Sequence, residues 1–269
     1  MRALAGIGQM FMSRLSKLLR ETFGKERRIQ APPPGERQPQ YRADGMALLD
    51  RNTEFLRRPN FRTAYEAAMA SGHRINGGGD IGIEWRIHVA CWAATHALKL
   101  PGDFVECGVN TGMMSLAICK YVDFNRTGKK FWLFDTFAGI PIEQARNPQE
   151  IDHVTAHNRL NYFECYELAQ RNFAPYPNAK LIRGKVPETL GTVEISKVSY
   201  LSIDMNLEPP ERASLEYFWP KMASGGVVLL DDYGFIGYEP QHDSADEFAA
   251  RERVPVLSLP TGQGILIKP

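Results

Sequence analysis

The stretch DFVECGVNTGMMSLAI, residues 103–118, decides the fold of this 269-residue chain. A short apolar run at its start predicts a buried strand, Gly108 and Gly112 predict a tight turn, and apolar residues at helical spacing follow. A strand, a glycine turn and a helix in this order are typical of an open α/β sheet. In such sheets ligands bind at the carboxyl ends of the strands, where the next helix offers free backbone N–H groups.

The remaining strands follow the same pattern along the chain. Six further apolar runs predict strands at residues 130–134, 179–183, 198–203, 226–230, 254–259 and 265–268. Helical segments separate most of them, which indicates a parallel sheet covered on both faces. Only residues 260–264 join the last two strands, so that pair must be an antiparallel hairpin. We therefore predict an α/β fold with a Rossmann-like, doubly wound, mostly parallel sheet of seven strands and an antiparallel C-terminal hairpin.

Three segments precede this domain, which we place at residues 101–269. Residues 1–29 contain seven Lys or Arg against two Glu, with apolar residues at helical spacing, and predict a basic amphipathic helix. Such a helix would lie on an anionic membrane surface, dock on a partner or pack on its own domain. Residues 30–42 are rich in Pro and predict a linker, and residues 43–100 predict a helical cap.

The composition is that of a globular protein without a strong charge bias. Hydrophobic residues make up 43% of the chain and the formal net charge is +1, which gives no argument for nucleic-acid binding. No stretch of membrane-spanning length is free of charge. The four cysteines form no C-x-x-C pair, and we interpret them as reduced thiols of a cytoplasmic protein. We also expect a homo-oligomer.

Two acidic residues at successive strand ends indicate an adenosine ligand. Glu106 gives the glycine turn an E-x-G-x-x-x-G spacing, which differs from the dinucleotide fingerprint and is similar to the form used for S-adenosylmethionine. FWLFDTFAG, residues 131–139, places Asp135 about twenty residues beyond the glycines, where a carboxylate accepts both ribose hydroxyls. The alternative for Asp135 is a helix N-cap. After the third strand, the backbone of Lys185 or Val186 would flank the adenine ring.

The next two strands also end in acids. YLSIDMN, residues 200–206, places Asp204, and GGVVLLDDYG, residues 225–234, places Asp231 and Asp232. Because neighbouring parallel strands end at the same edge of a sheet, these carboxylates should meet over one cleft. Three oxygen donors suit an octahedral Mg²⁺. The alternative is one N-cap and one cofactor contact without a metal.

Histidines supply weaker candidates. His153 and His157 share a helix face beside Asp152, as a metal pair would, but residues 141–176 have the polar composition of a lid, which favours solvated histidines. His242 follows the fifth strand, near the expected acceptor entrance, and is either a general base or a surface histidine.

Taken together, these motifs resemble the macrocin and mycinamicin type (TylF-like) sugar O-methyltransferases, a family of class I S-adenosylmethionine-dependent enzymes. The matching stretches are GDFVECGVNTG, FWLFDTFAGIP, LIRGKVPETL, YLSIDMN, FWPKMASGGVVLLDDYG and ADEF, all within residues 101–269. The resemblance implies a seven-stranded methyltransferase sheet. It also implies methyl transfer to a hydroxyl of a sugar or a sugar-containing metabolite, in natural product or polysaccharide biosynthesis.

The resemblance also implies particular site residues. The implied cofactor-binding residues are Glu106, Cys107, Gly108, Val109, Asn110, Thr111, Gly112, Asp135, Thr136, Phe137, Gly139, Lys185, Val186 and Asp204. The implied Mg²⁺ ligands are Asp204, Asp231 and Asp232. The family has a second acid two positions after the first metal ligand, thought to act as the base, where this chain has Asn206. Because an amide cannot take a proton, the base would be Asp204, His242 or a hydroxyl on the metal.

We therefore predict an S-adenosylmethionine-dependent O-methyltransferase whose acceptor is a sugar hydroxyl, or else a small phenol. In-line attack of the acceptor oxygen on the sulfonium methyl requires alignment and removal of the hydroxyl proton. The lack of an acid at position 206 keeps a non-catalytic, cofactor-binding scaffold open as an alternative. A nucleotide-linked oxidoreductase is disfavoured by the spacing of the glycine turn and by the terminal hairpin.

Overall fold

Nine strands and seven α-helices make up the part of the chain that the computed structural model describes, residues 38–269. The strands are β1 (Tyr41–Ala43), β2 (Met46–Leu48), β3 (Asp103–Cys107), β4 (Phe131–Asp135), β5 (Ala179–Arg183), β6 (Val198–Ile203), β7 (Met222–Leu230), β8 (Leu257–Ser258) and β9 (Gly264–Ile267). The α-helices are α1 (Pro59–Met69), α2 (Glu84–Ala97), α3 (Met113–Tyr121), α4 (Pro148–Leu160), α5 (Tyr166–Phe173), α6 (Glu208–Phe218) and α7 (Glu239–Glu252). The predicted helix at residues 1–29 and the linker up to residue 37 lie outside the described residues.

Seven strands form the central sheet in the order β5-β4-β3-β6-β7-β9-β8. The pairs β3–β4, β3–β6, β4–β5 and β6–β7 are parallel, and β9 runs antiparallel to both β7 and β8. The strand order reverses between β3 and β6, because the chain builds outward to β5 and then returns to the other side of β3. The loops diverge at such a switch point and leave a crevice at the strand ends. The predicted Rossmann-like sheet with its C-terminal hairpin is confirmed.

The structure reproduces the predicted bounds of three strands of the sheet. β3, β5 and β6 coincide with the predicted residues, and β7 begins at Met222 instead of Gly226. The largest difference is β8, which contains only two of the residues predicted at 254–259. This strand lies at the edge of the sheet, pairs only with β9 and is exposed, and a very short edge strand offers little backbone to another chain.

Apolar side chains cover both faces of the sheet. Along β3, Val105 and Cys107 join a cluster with residues of α6 and α7, whereas Phe104 joins a second cluster with residues of α2 and α3. This alternation follows from the two-residue period of a strand. Glu106 has the same parity as Phe104, so the period carries its carboxylate into the protein, where the side chain is only 2% exposed.

β1 and β2 form a separate two-stranded antiparallel hairpin. Asp44 and Gly45 turn it with φ angles of 51° and 71°, which suits the Asp-Gly pair typical of such hairpins. The prediction of a linker at residues 41–42 and that of a helical cap at residues 43–48 are both wrong. Gln40–Pro269 forms one compact unit, so the residues before position 101 are not a separate body.

None of the helices within residues 38–269 combines the length and the apolar character needed to cross a membrane. Membrane contact through residues 1–29 and a homo-oligomeric assembly stay predictions.

The turn after β3 brings three strand ends into contact. The backbone N–H of Gly108 donates to Phe134 at 2.9 Å, and that of Asp204 donates to Cys107 at 2.9 Å. Gly108 has a φ of 90°, and a Cβ atom at this position would overlap the carbonyl oxygen of Asp204. Only glycine therefore fits between the ends of β4 and β6.

We expect Gly108→Ala to lower the free energy of unfolding by about 3 kcal/mol or more, because it adds both backbone overlap and left-handed strain. Urea denaturation followed by circular dichroism measures this change. Gly191→Ala is the matched control, since a Cβ there meets open space and the backbone is not left-handed. Equal midpoints for Gly108→Ala and the wild type would contradict the close approach.

Candidate functional site

An open cleft lies at the carboxyl ends of the parallel strands and encloses about 1410 Å³, including the space open to solvent at its mouth. Nine of the residues implied as cofactor-binding line it: Glu106, Gly108, Val109, Asn110, Asp135, Thr136, Phe137, Gly139 and Asp204. Asp231 and Asp232 line it as well. The fold therefore brings most of the predicted site residues together in one cleft.

Five implied cofactor-binding residues do not line the cleft: Cys107, Thr111, Gly112, Lys185 and Val186. Cys107 and Val186 are buried in the core beside the sheet. The Thr111 hydroxyl donates to Ser71 at 3.0 Å, and Phe173 covers Gly112. The ammonium of Lys185 pairs with Glu143 at 2.6 Å on the surface. These side chains pack or pair with the protein itself.

Asp135 holds the glycine turn in place. Its Oδ2 accepts the backbone N–H groups of Val109 at 2.6 Å and Asn110 at 2.7 Å, and its Oδ1 accepts that of Phe137 at 2.5 Å. Asn110 and Phe137 both have left-handed backbones, with φ angles of 51° and 54°, which these bonds stabilise. The residues directly after Asp135 form a bend, so the alternative of a helix N-cap is wrong.

Glu106 carries a buried carboxylate with one free oxygen. The hydroxyl of Ser115 donates to Oε1 at 3.2 Å, while Oε2 has no hydrogen-bond partner within residues 38–269. Burial, followed by the nearby charge of Asp204, raises the pKa of Glu106 well above its usual range. An unpaired buried carboxylate oxygen is costly, so this atom favours a ligand that brings a donor or a positive charge.

Asp204, Asp231 and Asp232 form an acidic cluster, each offering an oxygen within 4.8 Å of the others. Burial, and then the charges of the other two aspartates, raise the pKa of Asp204 well above its usual range. The side-chain amide of Asn206 donates to Asp204 at 3.3 Å, and its backbone N–H donates to Asp232 at 3.2 Å. The cluster is therefore oriented by Asn206, and its unneutralised charge suits a cation.

Arg86 supplies positive charge to this cluster and was missed by the sequence analysis. Its guanidinium donates to Asp231 at 3.0 Å and makes two bonds of 2.9 Å to Asp44 in the hairpin. Burial by itself lowers the pKa of Arg86, but Asp231 and Asp44 more than offset it, and the pKa is raised. On its other oxygen, Asp231 accepts a bond of 2.9 Å from Gln263, a residue of the last hairpin.

Glu211 lies behind the cluster and was also missed. Its Oε1 accepts the backbone N–H of Met205 at 3.1 Å, and its carboxyl group shares a hydrogen bond with Asp232. Burial raises the pKa of Glu211 to about 8, with a further contribution from Asp204. A proton held between Glu211 and Asp232 relieves the repulsion between their carboxylates.

The segment predicted as a polar lid forms one wall of the cleft. Tyr162 and His157 line it from this side, and Tyr238 faces them from the segment before α7. His153 and His157 stack with their ring centres 4.2 Å apart and are half-buried, so both keep some contact with solvent. Burial, and then the neighbouring His153, lower the pKa of His157.

His242 does not reach the cleft, which corrects its assignment as a candidate base. α7 begins at Glu239, and one turn later the His242 ring stacks on Tyr233 with a centroid separation of 4.6 Å. Its Nδ1 lies 3.1 Å from Asp243, and it is absent from the cleft lining. Asp204 does line the cleft, and its role as a base stays a prediction.

Comparisons with known proteins agree with this geometry. The sequence model of the macrocin-O-methyltransferase (TylF) family matches residues 86–255, more than half of the chain. Demethyldecarbamoylnovobiocin O-methyltransferase from Streptomyces niveus is 29% identical over 162 residues, which are 57% of this chain and 60% of that protein. The 8-demethyl-8-(2,3-dimethoxy-alpha-L-rhamnosyl)-tetracenomycin-C 4'-O-methyltransferase from Streptomyces olivaceus is 26% identical over 150 residues, 53% of this chain and 57% of that protein. The chain thus matches about three fifths of the length of these curated relatives.

Solved structures share the fold. The O-methyltransferase NovP superposes with a TM-score of 0.61 at 22% identity, covering 71% of this chain and 84% of that one. The calicheamicin methyltransferase CalS11 superposes with a TM-score of 0.50 at 15% identity, covering 77% and 91%. At these identities the likeness shows the architecture alone.

The buried Glu211 predicts a particular pH dependence of stability. Unfolded glutamate releases its proton near pH 4.5, whereas folded Glu211 holds it up to about pH 8. The stability that the protonated group contributes is therefore present at low pH and is lost as the pH rises to about 8. We expect Glu211→Gln, which keeps both hydrogen bonds, to gain stability relative to the wild type over that range by a few kcal/mol.

Urea denaturation in a chelating buffer, at intervals from pH 5 to 8.5, measures this difference. Glu216→Gln on the same helix is the control, because Glu216 is exposed and its difference from the wild type should stay constant. Parallel curves for Glu211→Gln and the wild type would show that Glu211 is already ionised at pH 5.

Proposed function

The chain belongs to the macrocin O-methyltransferase family, and from that premise we propose that it transfers a methyl group from S-adenosylmethionine to a hydroxyl of a sugar or sugar-containing metabolite. The observation that carries this proposal is the free oxygen of Glu106, buried at the end of β3 beside the glycine turn. It lies in the same cleft as Asp135, at the end of the neighbouring strand. A ligand with an ammonium group would satisfy Glu106, and its ribose hydroxyls would lie beside Asp135.

The charge of the cleft supports this cofactor over a dinucleotide. Glu106, Asp135 and the acidic cluster of Asp204, Asp231 and Asp232 all face one space. S-adenosylmethionine carries positive charge on its sulfonium and ammonium groups, which these acids attract. The pyrophosphate of a dinucleotide would be repelled by the same acids. The rival oxidoreductase is therefore disfavoured by electrostatics as well as by the glycine spacing.

S-adenosylmethionine supplies an electrophilic methyl group when it is bound. The work of this chain is to align an acceptor hydroxyl with that methyl and to remove the hydroxyl proton. Asp135 would orient the ribose, while its bonds to Val109 and Asn110 keep the glycine turn in shape. Glu106 would hold the amino end, and the acidic cluster would face the acceptor.

We further propose that Asp204, Asp231 and Asp232 hold Mg²⁺. The donor set fits, because the three carboxylates converge within 4.8 Å, and burial followed by the repulsion between them raises the pKa of Asp204. Arg86 and Gln263 each donate to an oxygen of Asp231 and leave further lone pairs on both. When bound, the ion would supply charge stabilisation near the acceptor hydroxyl.

The choice of acceptor rests on the names of two relatives and on the apolar side chains that line the cleft. One curated relative is named for O-methylation of a rhamnosyl-tetracenomycin, and the other for O-methylation of demethyldecarbamoylnovobiocin. The lining of the cleft includes Ile81, Ile83 and Phe235, which would contact an apolar face of the acceptor. A small phenol remains the second choice.

Cofactor binding is the first test. We expect S-adenosylhomocysteine to bind in calorimetric titration, with NAD binding far more weakly or not at all. Glu106→Gln should weaken S-adenosylhomocysteine binding by about tenfold or more, because a charge-assisted hydrogen bond is replaced by a neutral one. Glu167→Gln, a surface substitution on α5, is the control. Tighter binding of NAD than of S-adenosylhomocysteine would reject the proposed cofactor.

Turnover is the second test. With tritiated S-adenosylmethionine, we expect label in methylated 6-deoxyhexose glycosides and little in catechols or other phenols. Exhaustive chelation should abolish transfer and added Mg²⁺ should restore it, because the carboxylate cluster then regains its cation. Full activity after chelation would remove the metal from the proposal. Preferential labelling of phenols would reassign the acceptor, and no label in any acceptor would favour a non-catalytic scaffold.

A further inference from the structure

Methyl transfer to a hydroxyl releases a proton, and the residue at position 206 cannot take it. Asn206 is buried, and its amide is held on both sides. Its Nδ2 donates to Asp204 at 3.3 Å, while its Oδ1 accepts from the hydroxyls of Tyr162 at 3.4 Å and Tyr238 at 3.1 Å. An amide in this position orients its neighbours but offers no site for a proton.

One of these two tyrosines has a base behind it. Tyr238 lines the cleft, and its hydroxyl oxygen lies 3.2 Å from Nε2 of His153 on α4. The single hydroxyl hydrogen of Tyr238 thus has two acceptors within reach, Asn206 Oδ1 and His153 Nε2. Tyr162 contacts the same Asn206 oxygen from the other side without such a hydrogen bond to a histidine. Substituting each tyrosine in turn therefore separates the effect of the histidine contact from that of the shared contact with Asn206.

Other groups near the cleft are poorly placed to act as the base. Asn161 Nδ2 lies 3.3 Å from His157 Nδ1, so Nδ1 accepts the amide hydrogen and the neutral ring carries its proton on Nε2. His157 in this tautomer donates through Nε2 and does not accept there. His242 lies on the far side of α7's first turn, against Tyr233. The oxygens of Asp204 and Asp232 belong to the proposed cation site.

On the basis of the proposed methyl transfer, we infer that Tyr238 and His153 carry the acceptor proton out of the cleft. The acceptor oxygen uses a lone pair to form the bond to the methyl carbon, and the pair of the breaking carbon–sulfur bond stays on sulfur. The hydroxyl proton passes to the oxygen of Tyr238 as the proton of Tyr238 passes to His153 Nε2. Tyr238 is unchanged after the step, and His153 is left as an imidazolium. Because His153 is half-buried, it can return the proton to solvent.

Two aromatic side chains face His153. His157 faces it from the same helix, and Tyr238 faces it from the segment before α7. Burial, followed by the charges of Asp232 and Asp204, raises the pKa of Tyr238. Its hydroxyl therefore passes a proton on without becoming a stable phenolate.

The test compares four variants with the wild type on the best sugar acceptor of the labelled panel. We expect Tyr238→Phe and His153→Gln to lower kcat by about a hundredfold, the range of general-base effects. Their affinities for S-adenosylhomocysteine, measured by calorimetry, should stay within about twofold, which shows that they are folded. For Tyr162→Phe, the matched control, kcat should fall by less than about tenfold. Asn206→Asp placed in the His153→Gln background should raise kcat at least tenfold over His153→Gln alone, because a carboxylate there can take the proton directly.

The pH profile gives a readout that a structural role would not change. His153 must be neutral to accept, so wild-type kcat should fall as the pH is lowered. His153→Gln should lack this acid limb, and Tyr162→Phe should retain it.

Two outcomes overturn the inference while leaving the proposed function intact. In the first, the wild type is active and Tyr162→Phe and Tyr238→Phe lower kcat by the same factor. In the second, the His153→Gln variant keeps the acid limb of the kcat–pH profile. A wild type that binds S-adenosylhomocysteine but labels no acceptor overturns the proposed function, and this inference falls with it.

Discussion

Burial of several carboxylates in one cleft is the constraint on which the rest of this structure depends. Glu106 and the cluster of Asp204, Asp231 and Asp232 face the same space, and desolvation opposes their charge. The fold offsets this with donors from distant parts of the chain. Arg86 comes from the first turn of α2 and is fixed by Asp44 in the N-terminal hairpin, while Gln263 comes from the C-terminal hairpin. Segments near both ends of Gln40–Pro269 are thus needed to complete the site.

The same constraint links cofactor and chemistry. Removing one partner from a buried ion pair leaves an uncompensated charge, which costs about 3–5 kcal/mol. A cleft built in this way favours the binding of cations, and a sulfonium, an ammonium group and a divalent ion all carry the required positive charge. Arg86 neutralises only part of the acidic charge, because its guanidinium is shared between Asp231 and Asp44. The remaining charge is directed at the ligand space.

The strand ends could be predicted from the sequence, but the residues that reach them from elsewhere could not. Asp204, Asp231 and Asp232 follow apolar runs, and the geometry of a parallel sheet brings such ends together. Arg86 lies 145 residues from its partner Asp231, and only the packing of α2 on the sheet sets that contact. His242 was predicted near the cleft, but it lies one helical turn beyond it. Pro240 marks a helix that begins at Glu239, and this signal would have placed Tyr238 at the cleft instead.

Asn206 follows from the same charge balance. An aspartate at this position would add another carboxylate beside Asp204 and Asp232, with Glu211 directly behind them. The amide instead donates to Asp204 and accepts from two tyrosines, so it orients the acidic cluster without adding to its repulsion. A proton acceptor is then needed farther out, where water can reach it. His153 meets that need because it is half-buried and is separated from the acids by the Tyr238 hydroxyl. The lack of an acid at position 206 is therefore compatible with catalysis.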